Sequence, residues 1–229
     1  MHETVQRLAK GLIVSCQASE GSALHGPAFM GAMALEAERG GACGLRINGP
    51  DDISAVRGMT SLPIIGIYKQ KHVGYESYIT VTFESAHQIV NAGADLVAMD
   101  GTGRPLPDGY SLSELIARIH DELHVPVMAD VSTLQEGIAA AQAGADIVAT
   151  TMSGYTAQSR SAINDTPDFM LIEELVATVT VPVIVEGRVT TLEQLTRCFS
   201  LGAFAVCIGG AITNPQMLTQ RFVNSIHPG

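Results

Sequence analysis

PVMADVSTLQEGIAAAQAGADIVATT, running from Pro126 to Thr151, carries the pattern that decides the fold. Its two ends, PVMADV (Pro126–Val131) and DIVATT (Asp146–Thr151), are short apolar runs rich in Val and Ile, as strands buried on both faces require. Between them, Leu134 to Ala143 has helical spacing, with Ser132 or Thr133 as the opening cap. Gly144 follows, and glycine at a helix end supplies a left-handed turn at little steric cost. The stretch therefore reads as strand, helix, strand, and strands joined by such a crossover are parallel.

The same rhythm continues in both directions. LIVSCQ (Leu12–Gln17), CGLRIN (Cys43–Asn48), PIIGIYK (Pro63–Lys69), DLVAMD (Asp95–Asp100), PVIVEG (Pro182–Gly187) and AVCIGG (Ala205–Gly210) bring the strand-like runs to eight. Helical spacing fills Ala28–Arg39, Asp51–Met59, Ser85–Ala92, Leu112–Leu123, Phe169–Thr178, Leu192–Ser200 and Pro215–Ser225. NAGAD (Asn91–Asp95), QAGAD (Gln142–Asp146) and SLGAF (Ser200–Phe204) form a weak internal repeat, each ending a helix and feeding a strand. Eight such units close most economically into a single (β/α)8 barrel of the TIM type, an α/β fold occupying residues 1–229 as one domain. The longest irregular segments, Gly101–Tyr110 and Ser153–Asp168, follow strands four and six, on the face where barrels build their sites.

Composition agrees with one such domain. The chain has 229 residues, 46% of them hydrophobic, with 13 basic against 23 acidic residues and a formal charge of −10. No basic field exists to hold a nucleic acid or an anionic bilayer, so neither is expected as a partner. A phosphorylated metabolite stays compatible, because backbone N–H groups and one placed Arg bind it whatever the net charge. The longest strongly apolar stretch, Phe204–Ile212, is far short of the roughly 18 residues a membrane-spanning helix needs. MHETVQRLAK at the N-terminus lacks the apolar run of a secretory signal, so the expected location is cytoplasmic. Cys16, Cys43, Cys198 and Cys207 form no C-x-x-C pair and read as reduced core residues.

The residues at the strand ends, in order, are Gln17, Arg46, Lys69, Asp100, Asp130, Thr150 with Thr151, Glu186, and Gly209 with Gly210. Parallel strands gather them at one mouth, and a polar ring there is most simply a site. Lys69 is one of three lysines and closes an apolar run. Its stem either escapes to solvent, or its amine is a base made less basic by burial and by a cation such as Arg46. Glu186 is a structural partner of Arg188 or Lys69, or an acid–base group, and the two roles are compatible. Asp130 serves the site or caps the next helix, and Asp100 serves the site or closes the turn DGTG. Arg46, alone in a buried strand, needs an anion. Glycine turns after strands seven and eight are where barrels commonly hold phosphate. None of the seven histidines lies in a strand, which gives no support to a metal site. A G-x-S-x-G elbow is absent, as is G-x-G-x-x-G after the first strand.

Taken together, SCQA (Ser15–Ala18), LRING (Leu45–Gly49), PIIGIYK, MDGTGRP (Met99–Pro105), ADVST (Ala129–Thr133), ATTMSGYT (Ala149–Thr156), VEGR (Val185–Arg188) and GGAIT (Gly209–Thr213) closely resemble the N-acylglucosamine-6-phosphate 2-epimerases, also called N-acetylmannosamine-6-phosphate 2-epimerases. The resemblance runs through essentially the whole chain, in order. It implies a TIM-barrel isomerase of sialic-acid and amino-sugar breakdown that interconverts N-acetylmannosamine 6-phosphate and N-acetylglucosamine 6-phosphate without a redox cofactor or metal. It implies Lys69 and Glu186 as the catalytic pair, and Gln17, Arg46 and Asp130 around the phosphorylated N-acyl hexosamine. Thr102, Arg104, Ser153 and Tyr155, inside the matching motifs, are further substrate-binding candidates, and Gly187, Arg188, Gly209 and Gly210 are the phosphate-binding ones. The chain departs from the family at Asn214, where an Arg is usual, in QKHVGYES after Lys69, and at Gly103 and Leu106, where basic residues are common. Another phosphosugar aldose–ketose isomerase and a non-catalytic sugar-phosphate-binding barrel are the competing readings. Apolar helix faces and a mean hydropathy of +0.24 leave room for a homodimer.

Overall fold

The computed structural model describes residues 1–160 and 165–226. Residues 161–164 of the expected long segment after strand six, and His227, lie outside the described residues. Eight strands, β1 (Leu12–Cys16), β2 (Gly44–Asn48), β3 (Ile64–Ile67), β4 (Leu96–Asp100), β5 (Val127–Asp130), β6 (Ile147–Ala149), β7 (Val183–Glu186) and β8 (Ala205–Ile208), close into a barrel in sequence order. Every neighbouring pair, including β1 with β8, is parallel. This is the expected (β/α)8 architecture.

Helices α1 (Glu3–Gln6), α2 (Pro27–Arg39), α3 (Pro50–Arg57), α4 (Phe83–Asn91), α5 (Leu112–Leu123), α6 (Leu134–Gln142), α7 (Phe169–Thr178), α8 (Leu192–Ser200), α9 (Gly210–Thr213) and α10 (Pro215–Ile226) complete the described elements. The opening stretch behaves as its chemistry requires. Thr133, rather than Ser132, caps α6 by accepting the Glu136 N–H, and the Glu136 side chain returns to the cap backbone. Gly144 takes φ 102° just past the helix, and Ala145 behind it is buried under the returning strand. Likewise Thr191, rather than Thr190, caps α8.

Several strands are shorter than expected, because pairing stops where polar side chains turn into the mouth. Gln17, Lys69, Gly209 and Gly210 lie just past the ladders, and Thr150–Met152 forms a 3-10 turn instead of continuing β6. Cys43 precedes β2 and is only half-buried, whereas Cys16, Cys198 and Cys207 are buried, and all four are free thiols. α1 and α9 are single turns too short for periodicity to reveal.

The core divides by strand alternation. Outward residues such as Val14, Leu45, Val97 and Val148 pack under the helices, whereas Ile13, Ile65, Met128, Ile147 and Ile184 fill the barrel. The terminal helix α10 has no buried residue, and Phe222, Val223 and Ile226 on it are exposed. No helix among the described residues is long and apolar enough to cross a membrane.

Candidate active site

Layers of inward side chains build the floor of the mouth. Following the ladder registers with the stagger that closes eight strands puts Ile13, Ile65, Met128 and Ile184 in one layer. Arg46, Ala98, Ala149 and Cys207 form the layer above it, and Ser15, Ile67, Asp130 and Glu186 the next. The three small neighbours of Arg46 leave the barrel centre open for its guanidinium. Arg46 is 1% exposed, and its Nη1 and Nη2 donate to the two oxygens of Asp130 at 3.1 and 2.6 Å. Nη1 also lies 2.9 Å from a Glu186 carboxylate oxygen. The anion that a buried arginine needs is thus supplied twice, from β5 and from β7.

These pairings fix the protonation tendencies. Burial opposes the charge on Arg46, but the carboxylates of Asp130 and Glu186 outweigh it and hold its pKa above the ordinary value. Burial pushes the Glu186 carboxyl up; Arg46 opposes that shift, the charge of Asp130 adds to it, and the result is raised. The Cys207 thiol, opposite Glu186 in the β7–β8 register, interacts with that carboxylate. The expected partners of Glu186 were Arg188 or Lys69, but the ion pair is with Arg46, because the guanidinium reaches Glu186 from the layer beneath.

Lys69 lies two residues beyond β3, held by its backbone N–H on Asn48 Oδ1 at 2.9 Å and by an antiparallel bridge with Ile79. Its side chain opens to solvent at the mouth. Nζ donates to Gln17 Oε1 at 2.7 Å, and Gln17 Nε2 donates to Ser15 Oγ at 2.7 Å. Desolvation by the surrounding walls, then the charge of Arg46, lower the Lys69 pKa, while Glu186 and Asp130 act in the opposite direction without cancelling the shift. An amine made less basic, just past β3, and a carboxyl made more basic, at the end of β7, thus stand on opposite sides of the barrel axis.

The two threonines after β6 divide the work of holding the carboxylates. Thr151 Oγ1 donates to Asp130 at 2.6 Å. Thr150 donates to the Glu186 carbonyl at 2.9 Å and accepts the Glu186 N–H at 3.1 Å, pinning the end of β7. Asp130 does not cap α6, since Thr133 does. Asp100 does close its turn: it accepts from Thr102 N–H at 3.1 Å and Thr102 Oγ1 at 2.5 Å, and pairs with Arg104 at 2.5 Å. That cluster borders a cavity of about 240 Å3 lined also by Leu106 and Tyr110, in the loop between β4 and α5. A second cavity of about 400 Å3, lined by Lys10, Val181 and Phe204, contains none of the candidate residues.

Gly187 and Arg188 take φ 120° and 58°, so the turn after β7 is left-handed at two successive residues. A side chain at Gly187 would meet nothing within 4 Å, so this turn faces open space. Arg188 does not point into that space: Nε and Nη1 donate to the carbonyls of Thr166 and Ser153 at 2.8 and 2.7 Å, and its guanidinium lies 5.8 Å from the Tyr155 ring. Ser153 is buried with its hydroxyl on Asp168, and Tyr155 is 61% exposed. Gly209 and Gly210 lead into α9 beside β1, where Thr213 Oγ1 donates to the Ser15 carbonyl at 2.9 Å. Asn214 accepts the Met217 N–H at 2.9 Å and so caps α10, a role for which asparagine is suited and arginine is not. Ser15 and Asn48, which orient Gln17 and Lys69, were missed in the sequence reading. Their inward alternation with Arg46 and Ile13 was the available signal. Among the described residues no group of three or more His, Cys, Asp or Glu side chains is gathered to hold a metal ion.

Residues 30–228 match the family model described as "Putative N-acetylmannosamine-6-phosphate epimerase". The chain belongs to the N-acetylmannosamine-6-phosphate 2-epimerase family. A family member from Caldanaerobacter subterraneus subsp. tengcongensis is 45% identical over 225 residues, covering 98% of this chain and 94% of the relative. One from Clostridium perfringens strain SM101 is 45% identical over 213 residues, covering 93% and 95%. The solved structure of the N-acetylmannosamine-6-phosphate 2-epimerase from Clostridium perfringens superposes with a TM-score of 0.94 at 42% identity, covering 98% of this chain and 96% of that one.

Proposed function

We propose that this chain interconverts N-acetylmannosamine 6-phosphate and N-acetylglucosamine 6-phosphate by moving a proton at carbon 2. Family membership supports the reaction. The single observation that carries the mechanism is the placement of Lys69 and Glu186 on opposite sides of the mouth, in surroundings that make the amine less basic and the carboxyl more basic. Carbon 2 becomes acidic only when carbon 1 is an aldehyde, so the sugar ring opens first. Neutral Lys69 takes the carbon 2 proton and becomes an ammonium, leaving an enolate. The Glu186 carboxylate, after taking a proton from solvent, delivers it to the opposite face and returns to the carboxylate that pairs with Arg46. The reverse reaction exchanges the roles.

Arg46, with its Nη groups engaged by Asp130 and Glu186, holds those carboxylates in place beneath the substrate. Gln17 fixes the Lys69 amine and also stands where it can meet the sugar. Thr102, Arg104, Ser153 and Tyr155 form the wall and rim of the sugar site, and the turns at Gly187, Gly209 and Gly210 receive the phosphate on backbone N–H groups. Arg188 serves the phosphate by bracing its turn against the Ser153 and Thr166 carbonyls. One barrel domain, residues 1–229, carries the whole activity in the cytoplasm, without nucleic acid as a partner. The exposed apolar side chains of α10 support a homodimer in which a second copy covers them. The direct test is a coupled assay on N-acetylmannosamine 6-phosphate: turnover to N-acetylglucosamine 6-phosphate is expected, and binding without turnover would overturn the reading.

A further inference from the structure

Tyr78 is a polar side chain at the mouth that the reading above leaves unused. Residues Tyr78 to Thr80 run antiparallel to the chain leaving β3: the Gln70 N–H donates to the Tyr78 carbonyl, and the Thr80 N–H to the Tyr68 carbonyl, each at 3.0 Å. Lys69 and Ile79 form the bridge between them. On the other side, the Asp100 N–H donates to the Ile79 carbonyl at 2.8 Å. The segment is therefore wedged between the extension of β3 and the end of β4. Thr80, buried at φ 46°, is a β-branched residue in the left-handed region, a conformation that persists only where its surroundings enforce it.

This anchoring fixes the Tyr78 ring against the inward cluster of the barrel. Its hydroxyl finds only a thioether among the described residues, Met152 Sδ at 3.8 Å, and a thioether is a weak acceptor. The charges acting on the phenol are Asp130, Asp100, Arg104 and Arg46, all around the mouth. Burial, then the two carboxylates, push its pKa up, so the hydroxyl keeps its proton and stays a donor. A fixed, half-buried donor with a poor partner is ready to exchange that partner for a better one.

We propose that Tyr78 is a specificity-determining residue whose hydroxyl donates a hydrogen bond to the carbonyl of the acylamino group on carbon 2 of the substrate. This rests on the reaction assigned above. The direction follows from the two ends of the sugar. With the phosphate at the turns after β7 and β8, an opened hexose extends across the mouth toward β3, β4 and β5. Carbon 2 then lies beside Lys69, and Tyr78 precedes the residue bridged to Lys69, so the substituent on carbon 2 falls on its side.

Tyr78→Phe keeps the ring and removes only the hydroxyl. We would measure KM for N-acetylmannosamine 6-phosphate and the inhibition constant of mannosamine 6-phosphate, which lacks the acyl carbonyl, in parent and variant. KM is expected to rise by about tenfold, the worth of one neutral hydrogen bond, with kcat within about threefold. The inhibition constant of the deacylated sugar is expected to stay within about twofold. An unchanged KM, or equal weakening of both ligands, would overturn the proposal. Met152→Leu removes the thioether while leaving the phenol in place. It should leave KM unchanged, and a rise matching that of Tyr78→Phe would assign the hydroxyl a purely structural role and also overturn the proposal. A parent protein that does not turn over N-acetylmannosamine 6-phosphate would instead refute the underlying reaction, so the two failures are distinguishable.

Discussion

In the proposed reaction Lys69 and Glu186 act from opposite walls, and their environments decide which of them accepts a proton first. Lys69→Met should lower kcat by about 10²–10⁴-fold, the contribution of a positioned base, while the thermal midpoint holds. Near-parent turnover in that variant would remove Lys69 from the chemistry. The pH dependence has a definite sign. Desolvation and Arg46 lower the Lys69 pKa from its ordinary 10.5, so the neutral amine is available at lower pH than for a free lysine. Glu186 raises that pKa, hence Glu186→Gln should shift the pH at which Lys69 becomes reactive toward an acylating reagent to still lower values. A shift to higher pH would contradict the electrostatic account. Asp130→Asn strips one oxygen charge from a guanidinium that is 1% exposed and should destabilise the fold by about 3 kcal/mol, measured by denaturant unfolding. Lys69, Glu186 and Asp130 were legible in the sequence because a charged residue ending an apolar run is conspicuous. That Arg46 binds two carboxylates from across the barrel was not, since spacing along the chain carries no record of which strand ends face each other.

At the level of elements, the repeat of apolar run, cap, helix and glycine carries the architecture, and every barrel strand and long helix was legible from it. Thr133 illustrates why: its hydroxyl accepts the Glu136 N–H while Glu136 returns to the Thr133 backbone, a local device that reads directly from the sequence. Thr133→Ala should cost about 1 kcal/mol in unfolding free energy and leave KM unchanged; a loss of substrate affinity would mean the cap also shapes the site. The segment Tyr78–Thr80 was illegible for the opposite reason. Its pairing with Lys69 and Asp100 is non-local, it includes a threonine at positive φ, and no periodicity announces a wedge between two strands. Asn214 belongs here too: α10 begins on its side chain, which accepts the Met217 N–H.

Across the whole molecule, the barrel gathers the candidate residues at one end and leaves α10 unburied at its periphery. Phe222, Val223 and Ile226 on that helix are 72%, 48% and 70% exposed, a cluster that a second copy would remove from water. Phe222→Asp should convert the proposed dimer to a monomer by sedimentation velocity, and a parent protein that already sediments as a monomer would refute that assembly. The formal charge of −10 bears on the substrate as well. With Arg188 braced against loop carbonyls and Asn214 capping a helix, the proposed function leaves phosphate recognition mainly to backbone N–H groups, which an acidic protein can supply. The most direct test of the central claim, proton removal on one face of carbon 2 and delivery on the other, is a single turnover of N-acetylmannosamine 6-phosphate in deuterated water. The account predicts product carrying deuterium at carbon 2, because the proton delivered by Glu186 has exchanged with solvent. Product that retains the substrate's own hydrogen at carbon 2 would contradict it.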